Sequence, residues 1–194
     1  MARKKEFDED DVLSRAMEIF WRKGYEATSV QDLVDEMGIN RGSLYGTFSD
    51  KRQLFLAAIQ HYDVTVISAV VAVLHRPGSA KKAIIDYVRG EAEKAARDSG
   101  KRHGCFLTNS AVEVGHTDPE ADKRLAASMQ RIESAFYDAL VQARKQGEIK
   151  TKQDLHALAR YLTSSVQGIR VMSKVVPDRA ALLQIADIAL SVLD

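Results

Sequence analysis

The sequence predicts an all-α protein of about nine helices, and three observations carry that prediction. Proline and glycine are scarce, 3 and 11 among 194 residues, too few for the turn every ten or so residues that an all-β chain requires. Apolar residues return at i, i+3 and i+4 in segment after segment. No strand-like alternation of useful length interrupts them, and neither a repeat nor a low-complexity tract is present.

The elements follow in order. Asp8 is a good N-cap, with Asp11 three residues on and Phe7 and Val12 placed as a hydrophobic staple. Leu13, Ala16, Met17 and Phe20 then form a helical stripe that Gly24 stops. Thr28 or Ser29 caps a second helix with Val30, Leu33, Val34 and Met37 as its stripe, ended by Gly38. Asn40 caps a third, Arg41 to Phe48, and Ser49 or Asp50 opens a fourth beginning at Lys51. Near His61 and Tyr62 the short, tightly punctuated segments give way to long ones, so the chain divides there into residues 1–60 and 61–194. His75-Arg-Pro-Gly is a loop. Ser79 to about Ser99 is a helix ending at Gly100, and Cys105 to about Val114 is a short apolar one. Asp118-Pro119 pairs an N-cap with proline at the first helical position. Leu125, Met129, Ile132, Phe136, Leu140 and Ala143 mark the long helix that follows, as far as Gly147. Leu155 to about Val175 and Asp178 to Leu193 complete the series.

Composition excludes several classes. Hydrophobic residues at 45% and charged residues at 28% are globular values. The net charge of +1 recruits neither nucleic acid nor membrane in bulk. A single cysteine, Cys105, excludes a disulfide framework and a cysteine zinc site. No apolar run reaches the roughly 18 residues of a membrane span, and the N-terminus lacks the apolar stretch of a signal peptide. A cytoplasmic protein without a membrane partner is expected.

The stretch that carries chemistry is residues 29–48, two short helices about a glycine-containing turn, the size of a helix-turn-helix. In its second helix Leu44 and Phe48 can face the core, which leaves Arg41, Gly42, Ser43, Tyr45, Gly46 and Thr47 outward. Two glycines cost such a helix about 1 kcal/mol each relative to alanine, but missing side chains let it lie close to a surface such as a DNA groove. Arg41 can fork onto guanine or phosphate, Ser43 and Thr47 can bond phosphate or base edges, and Tyr45 offers a phenol and a flat ring. Lys51 adds an ammonium at a helix start, a suitable phosphate clamp. Arg3, Lys4 and Lys5 suit an arm along the DNA backbone. Residues 1–60 carry nine basic and eleven acidic side chains, so a basic footprint is missing. The residues alone leave DNA binding and a bland helical subdomain both open.

Three motifs stand in register: Phe20, Gly24 and Tyr25 as F-x-x-x-G-Y; Thr28 to Asp32 as T-S-V-x-D; and Gly38 to Leu54 as G-x-x-x-G-x-L-Y-x-x-F-x-x-K-x-x-L. The run resembles the DNA-binding domain of the TetR/AcrR family of bacterial transcriptional regulators over about residues 8 to 60. The rest resembles the family only in architecture, a variable helical effector domain whose last two helices form the dimer. The resemblance implies Arg41, Gly42, Ser43 and Tyr45 in the major groove, with Thr28 or Ser29 and Lys51 on phosphates. Gly46 departs from many relatives, which place a bulky residue there. A repressor of a two-fold operator on double-stranded DNA is implied, released by a small-molecule or reactive effector.

Such a head reads only a few base pairs, so a dimer is expected, with heads about 34–36 Å apart or farther. Leu155, Leu158, Leu162, Ser165 and Ile169 form one candidate dimer stripe, and Leu182, Ile185 and Ile188 the other. Cys105, Phe106, Asn109, Met129, Ile132, Phe136 and Tyr161 are candidate effector-pocket residues. Cys105 starts a helix behind Lys101, Arg102 and His103, a setting for a reactive thiol or for an inert buried one. No cofactor, metal or catalytic residue is expected. A phosphate loop, an H-E-x-x-H motif and a nucleophile elbow are absent, and the E-x-x-H spacing of Glu113 and His116 occurs once only. The alternative is a helical adaptor with a vestigial helix-turn-helix. Arg41, Tyr45 and Lys51, all present, argue against it.

Overall fold

The computed structural model describes residues 8–97 and 103–194. Arg3, Lys4 and Lys5 of the expected arm, Phe7 of the staple, and Lys101 and Arg102 lie outside the described residues. The helices are α1 (Glu9–Lys23), α2 (Val30–Met37), α3 (Arg41–Phe48), α4 (Lys51–Tyr62), α5 (Ser68–Leu74), α6 (Ala80–Arg97), α7 (Phe106–Val114), α8 (Pro119–Lys145), α9 (Leu155–Val175) and α10 (Arg179–Leu190). A π-helical turn, Asp63–Ile67, joins α4 and α5 into one rod, so nine rods and no strand occur among the described residues.

Local chemistry accounts for most boundaries. Asp8, Asn40, Asp154 and Asp178 each accept a backbone N–H of the first turn they open, from Asp10, Ser43, Ala157 and Ala181. Ser29 forms a full capping box with Asp32: its hydroxyl accepts the Asp32 N–H and the Asp32 carboxylate accepts the Ser29 N–H. Gly38 ends α2 at φ 67°, a left-handed conformation that glycine adopts without penalty.

The break expected at His61 and Tyr62 is bridged by the joined rod, Lys51–Leu74, 24 residues that contain an 18-residue window of mean hydropathy 1.6. By length and composition this helix could cross a membrane, which corrects the expectation that no apolar run is long enough. Half of its apolar window is buried inside the fold, as a core helix requires.

The chain forms two compact units that do not follow the 60/61 division. One runs to Thr65 and recruits Phe106–Ala127, the other comprises Val66–Cys105 and Ser128–Asp194. In the first, α1 packs on α4 and α2, α3 bridges α2 and α4, and α7 packs on α1. Leu33, Met37, Leu44, Phe48, Leu54 and Phe55 are buried there. Full burial of such a side chain contributes about 1.5–3 kcal/mol. An aromatic chain runs through this core: the Phe55 ring lies 4.7 Å from Tyr25 and 6.1 Å from Phe106, and Trp21 lies 5.6 Å from Tyr62.

In the second unit α6 packs against α5, α9 and α10, and α9 against α10. This packing corrects the expected dimer stripe. Leu155, Leu158, Leu162, Ile169 and Leu182 are buried within the chain's own core. Periodicity identified an apolar face but not what covers it, and here α6 and the neighbouring terminal helix do. Ser165 is half-buried, and Ile185 and Ile188 are exposed, Ile188 at 70%.

Candidate nucleic-acid interface

At 100° per residue, Leu44 and Phe48 set the inward direction of α3, and both are buried. Gly42 and Gly46 fall opposite, at the crest of the exposed face. Arg41 and Tyr45 flank them on one side, Ser43 and Thr47 on the other. Arg41, Gly42, Tyr45 and Gly46 are exposed, Tyr45 at 48%, while Ser43 and Thr47 are half-buried. A Cβ added at Gly46 would meet nothing within 4 Å, so packing inside the chain does not explain that glycine. The Arg41 guanidinium donates to the Gln31 side-chain oxygen at 3.1 Å, which ties α3 to α2 without covering the crest.

The residues expected on phosphates separate. Thr28 is fully buried and its hydroxyl donates to the Gly24 carbonyl at 2.5 Å. It is a turn residue, a correction to its expected phosphate contact. Ser29 is exposed, but its hydroxyl is engaged in the capping box, donating to Asp32 at 2.8 Å. The Asp32 carboxyl is held far below the usual carboxylate range, first by Lys23, whose ammonium lies 2.6 Å away, and then by Ser29. Lys51 stands where expected, at the first position of α4, with Nζ 4.4 Å from the Tyr25 ring centroid and 3.5 Å from the Glu26 carbonyl.

Around that lysine lie groups that sequence reasoning missed. The Glu113 carboxylate on α7 accepts the backbone N–H groups of Tyr25 and Glu26, both at 2.9 Å. Asp118 accepts both arms of the Arg52 guanidinium, at 2.6 and 2.9 Å, and caps α8 through the Glu120 and Ala121 N–H groups. The Arg52 contact lowers the Asp118 carboxyl to about 2, against the opposing effect of desolvation and with the help of the two cap N–H groups. Burial raises the Tyr25 phenol above its ordinary range, with Glu26 adding to it. Glu113 entered the sequence reading only as half of an E-x-x-H pair. Its partners lie 87 and 88 residues away, and no local pattern marks them.

The expected effector residues fall in different units. Phe106 and Asn109 belong to the first, where the Phe106 ring packs 5.3 Å from Tyr62. Cys105, Met129, Ile132, Phe136 and Tyr161 belong to the second. Ile132 and Phe136 are buried there, Met129 is half-buried, and Tyr161 is 40% exposed on α9. Cys105 is buried with Arg170, whose guanidinium lies 3.4 Å from the sulfur, 3.5 Å from the Tyr87 hydroxyl and 2.6 Å from Glu91. A surface cavity of about 390 Å³ in this unit is lined by His75, Arg76, Asp138, Gln142 and Gln146, none of them expected. Among the described residues, no three His, Cys, Asp or Glu converge as metal ligands.

A short helix capped by Ser29, a left-handed glycine turn and a second short helix with a glycine crest define a helix-turn-helix head. Comparison with known proteins agrees. Residues 12–58 match the bacterial regulatory proteins of the tetR family, and residues 82–188 match a tetracyclin repressor-like C-terminal domain. The HTH-type transcriptional regulator YezE of Bacillus subtilis is 43% identical over 195 residues, all of both chains. The HTH-type transcriptional repressor ComR of Escherichia coli is 30% identical over 95% of this chain and 88% of its own length. A cysteine mutant of the TetR family regulator CifR, solved with a 26 bp operator duplex, superposes with a TM-score of 0.85 at 26% identity over 100% of both chains. The chain belongs to the TetR family. It is a DNA-binding transcriptional regulator and not an enzyme.

Proposed function

We propose that the chain is a cytoplasmic homodimeric repressor. Residues 1–60 read a two-fold operator, while residues 61–194 dimerise and take up the small-molecule or reactive effector that releases it. The observation that carries the reading is the outward face of α3, a glycine crest between Arg41 and Tyr45 on one side and Ser43 and Thr47 on the other. Lys51 supplies the phosphate clamp, and Arg41 and Tyr45 the base contacts. Repressors among the relatives, ComR included, support the sign of regulation.

The dimer reading is supported by the outer faces of α9 and α10 in the second unit. Tyr161, Val171, Met172, Val175, Ile185 and Ile188 are exposed there, Val175 at 72%. An apolar surface of that kind is normally covered by a partner. Effector release requires a coupling of typically about 1–3 kcal/mol between the two functions.

The test is salt-dependent binding of the purified protein to its own upstream intergenic duplex, against a scrambled duplex of equal length. Selective binding by one or two dimers per site, weakening steeply with salt, is expected. Tyr45→Ala and Lys51→Ala should each weaken it while light scattering still reports a dimer. Equal, weak binding to both duplexes, with an empty genomic pull-down, would count against the reading and favour an adaptor with a vestigial head.

A further inference from the structure

Four contacts within the first unit converge on the turn between α1 and α2. Glu113 accepts the Tyr25 and Glu26 N–H groups, and Lys51 rests on the Tyr25 ring and approaches the Glu26 carbonyl. The turn is shaped for the carboxylate. Gly24 sits at φ 89°, and a Cβ there would lie 2.9 Å from each Glu113 oxygen, so glycine alone lets the two N–H groups be reached. One residue beyond Lys51, Arg52 is drawn off by Asp118, which leaves the lysine as the cation presented at the start of α4. Both acids come from the α7–α8 corner, beyond the reading head in sequence.

We infer that Glu113 is a positioning residue for the operator contact: its carboxylate fixes the turn that holds the Lys51 ammonium in place for a DNA phosphate. The inference rests on the operator reading proposed above. Tyr25 is the intermediary, its backbone held by Glu113 and its ring under the ammonium. With the carboxylate charge removed, one acceptor is replaced by an amide N–H facing a backbone N–H. The turn loosens, and the lysine loses the surface on which it stands.

The experiment uses the full-length wild type, Glu113→Gln, Lys51→Ala and the double variant, with the upstream intergenic duplex read by fluorescence anisotropy across a salt series. Glu113→Gln should weaken binding about tenfold and lower the salt slope by about two per dimer, one phosphate contact from each head, as Lys51→Ala does. The double variant should bind no more weakly than Lys51→Ala, because both substitutions remove the same contact. A full sum of the two losses, or a wild-type salt slope in Glu113→Gln, overturns the inference and leaves Glu113 a structural brace. Thermal melts accompany the assay. If Glu113→Gln is unfolded at the assay temperature, Glu113→Asp replaces it, keeping the charge one methylene short of the turn, and must show the same non-additivity. A wild type that binds the scrambled duplex as tightly as the upstream one overturns the operator reading itself, and this inference with it.

Discussion

Gly46→Ala should make the protein more stable and a worse DNA binder. Gly46 lies on α3 opposite the buried Leu44 and Phe48, and an added Cβ would meet nothing within 4 Å. The fold therefore has no steric objection to alanine, and helix propensity favours it by about 0.8–1 kcal/mol. For a domain of this size the gain raises Tm by about 2–4 °C at fixed protein concentration. In the groove the same methyl projects from the crest, between the Arg41/Tyr45 and Ser43/Thr47 flanks, and holds the backbone off the base edges. A loss comparable to one mismatched base pair, about 1–3 kcal/mol, is expected. That is on the order of tenfold or more in affinity. Binding to scrambled DNA, which depends on phosphates, should change far less. Gly42→Ala is the internal comparison: its Cβ would lie 3.2 Å from the Asn40 side-chain oxygen that caps α3, so its stability gain should be smaller. Calorimetry and anisotropy on one preparation measure both quantities. A Gly46→Ala protein that is more stable and binds the operator undiminished would refute the crest argument. A less stable one would show that some other group occupies the space.

Three further outcomes follow from the geometry. Ile188→Glu, at a 70% exposed position on α10, should convert a dimer to a folded monomer by light scattering with an unchanged helical spectrum; a persistent dimer places the interface elsewhere. Arg170→Met leaves Glu91 without its partner at a site where the two side chains are 9% and 15% exposed. It should cost about 3–5 kcal/mol in urea unfolding, and a loss below about 1 kcal/mol would mean the pair is solvated. Asp118 has its carboxyl lowered to about 2 in the fold, against about 3.9 in an unfolded chain. Its pairing with Arg52 therefore stabilises fully above about pH 4 and is lost as pH falls toward 2. Asp118→Asn, which keeps a good N-cap for α8, should be less stable than wild type near neutral pH, with the gap closing in acid. A gap independent of pH would place its origin outside the ion pair.

The sequence by itself determined the helices and the head. Caps act on the first turn they open and apolar stripes repeat within four residues, so Asp8 and Asn40, and Ser29 as one of two candidates, could be placed without knowing what packs against them. The outward face of α3 was legible for the same reason, because eight residues with two apolar anchors leave one possible crest. Tertiary structure decided which face meets which. Leu155, Leu158, Leu162, Ile169 and Leu182 looked like an interface and are the core of the second unit. Thr28 looked like a phosphate ligand and closes its own turn. The joining of α7 and the start of α8 to the reading head, through Glu113 on the Tyr25–Glu26 amides and Asp118 on Arg52, spans 66 to 88 residues. Periodicity specifies that a helix has an apolar side; only the packed chain specifies the partner, since burial is non-directional and a carboxylate accepts any N–H that the fold brings within reach.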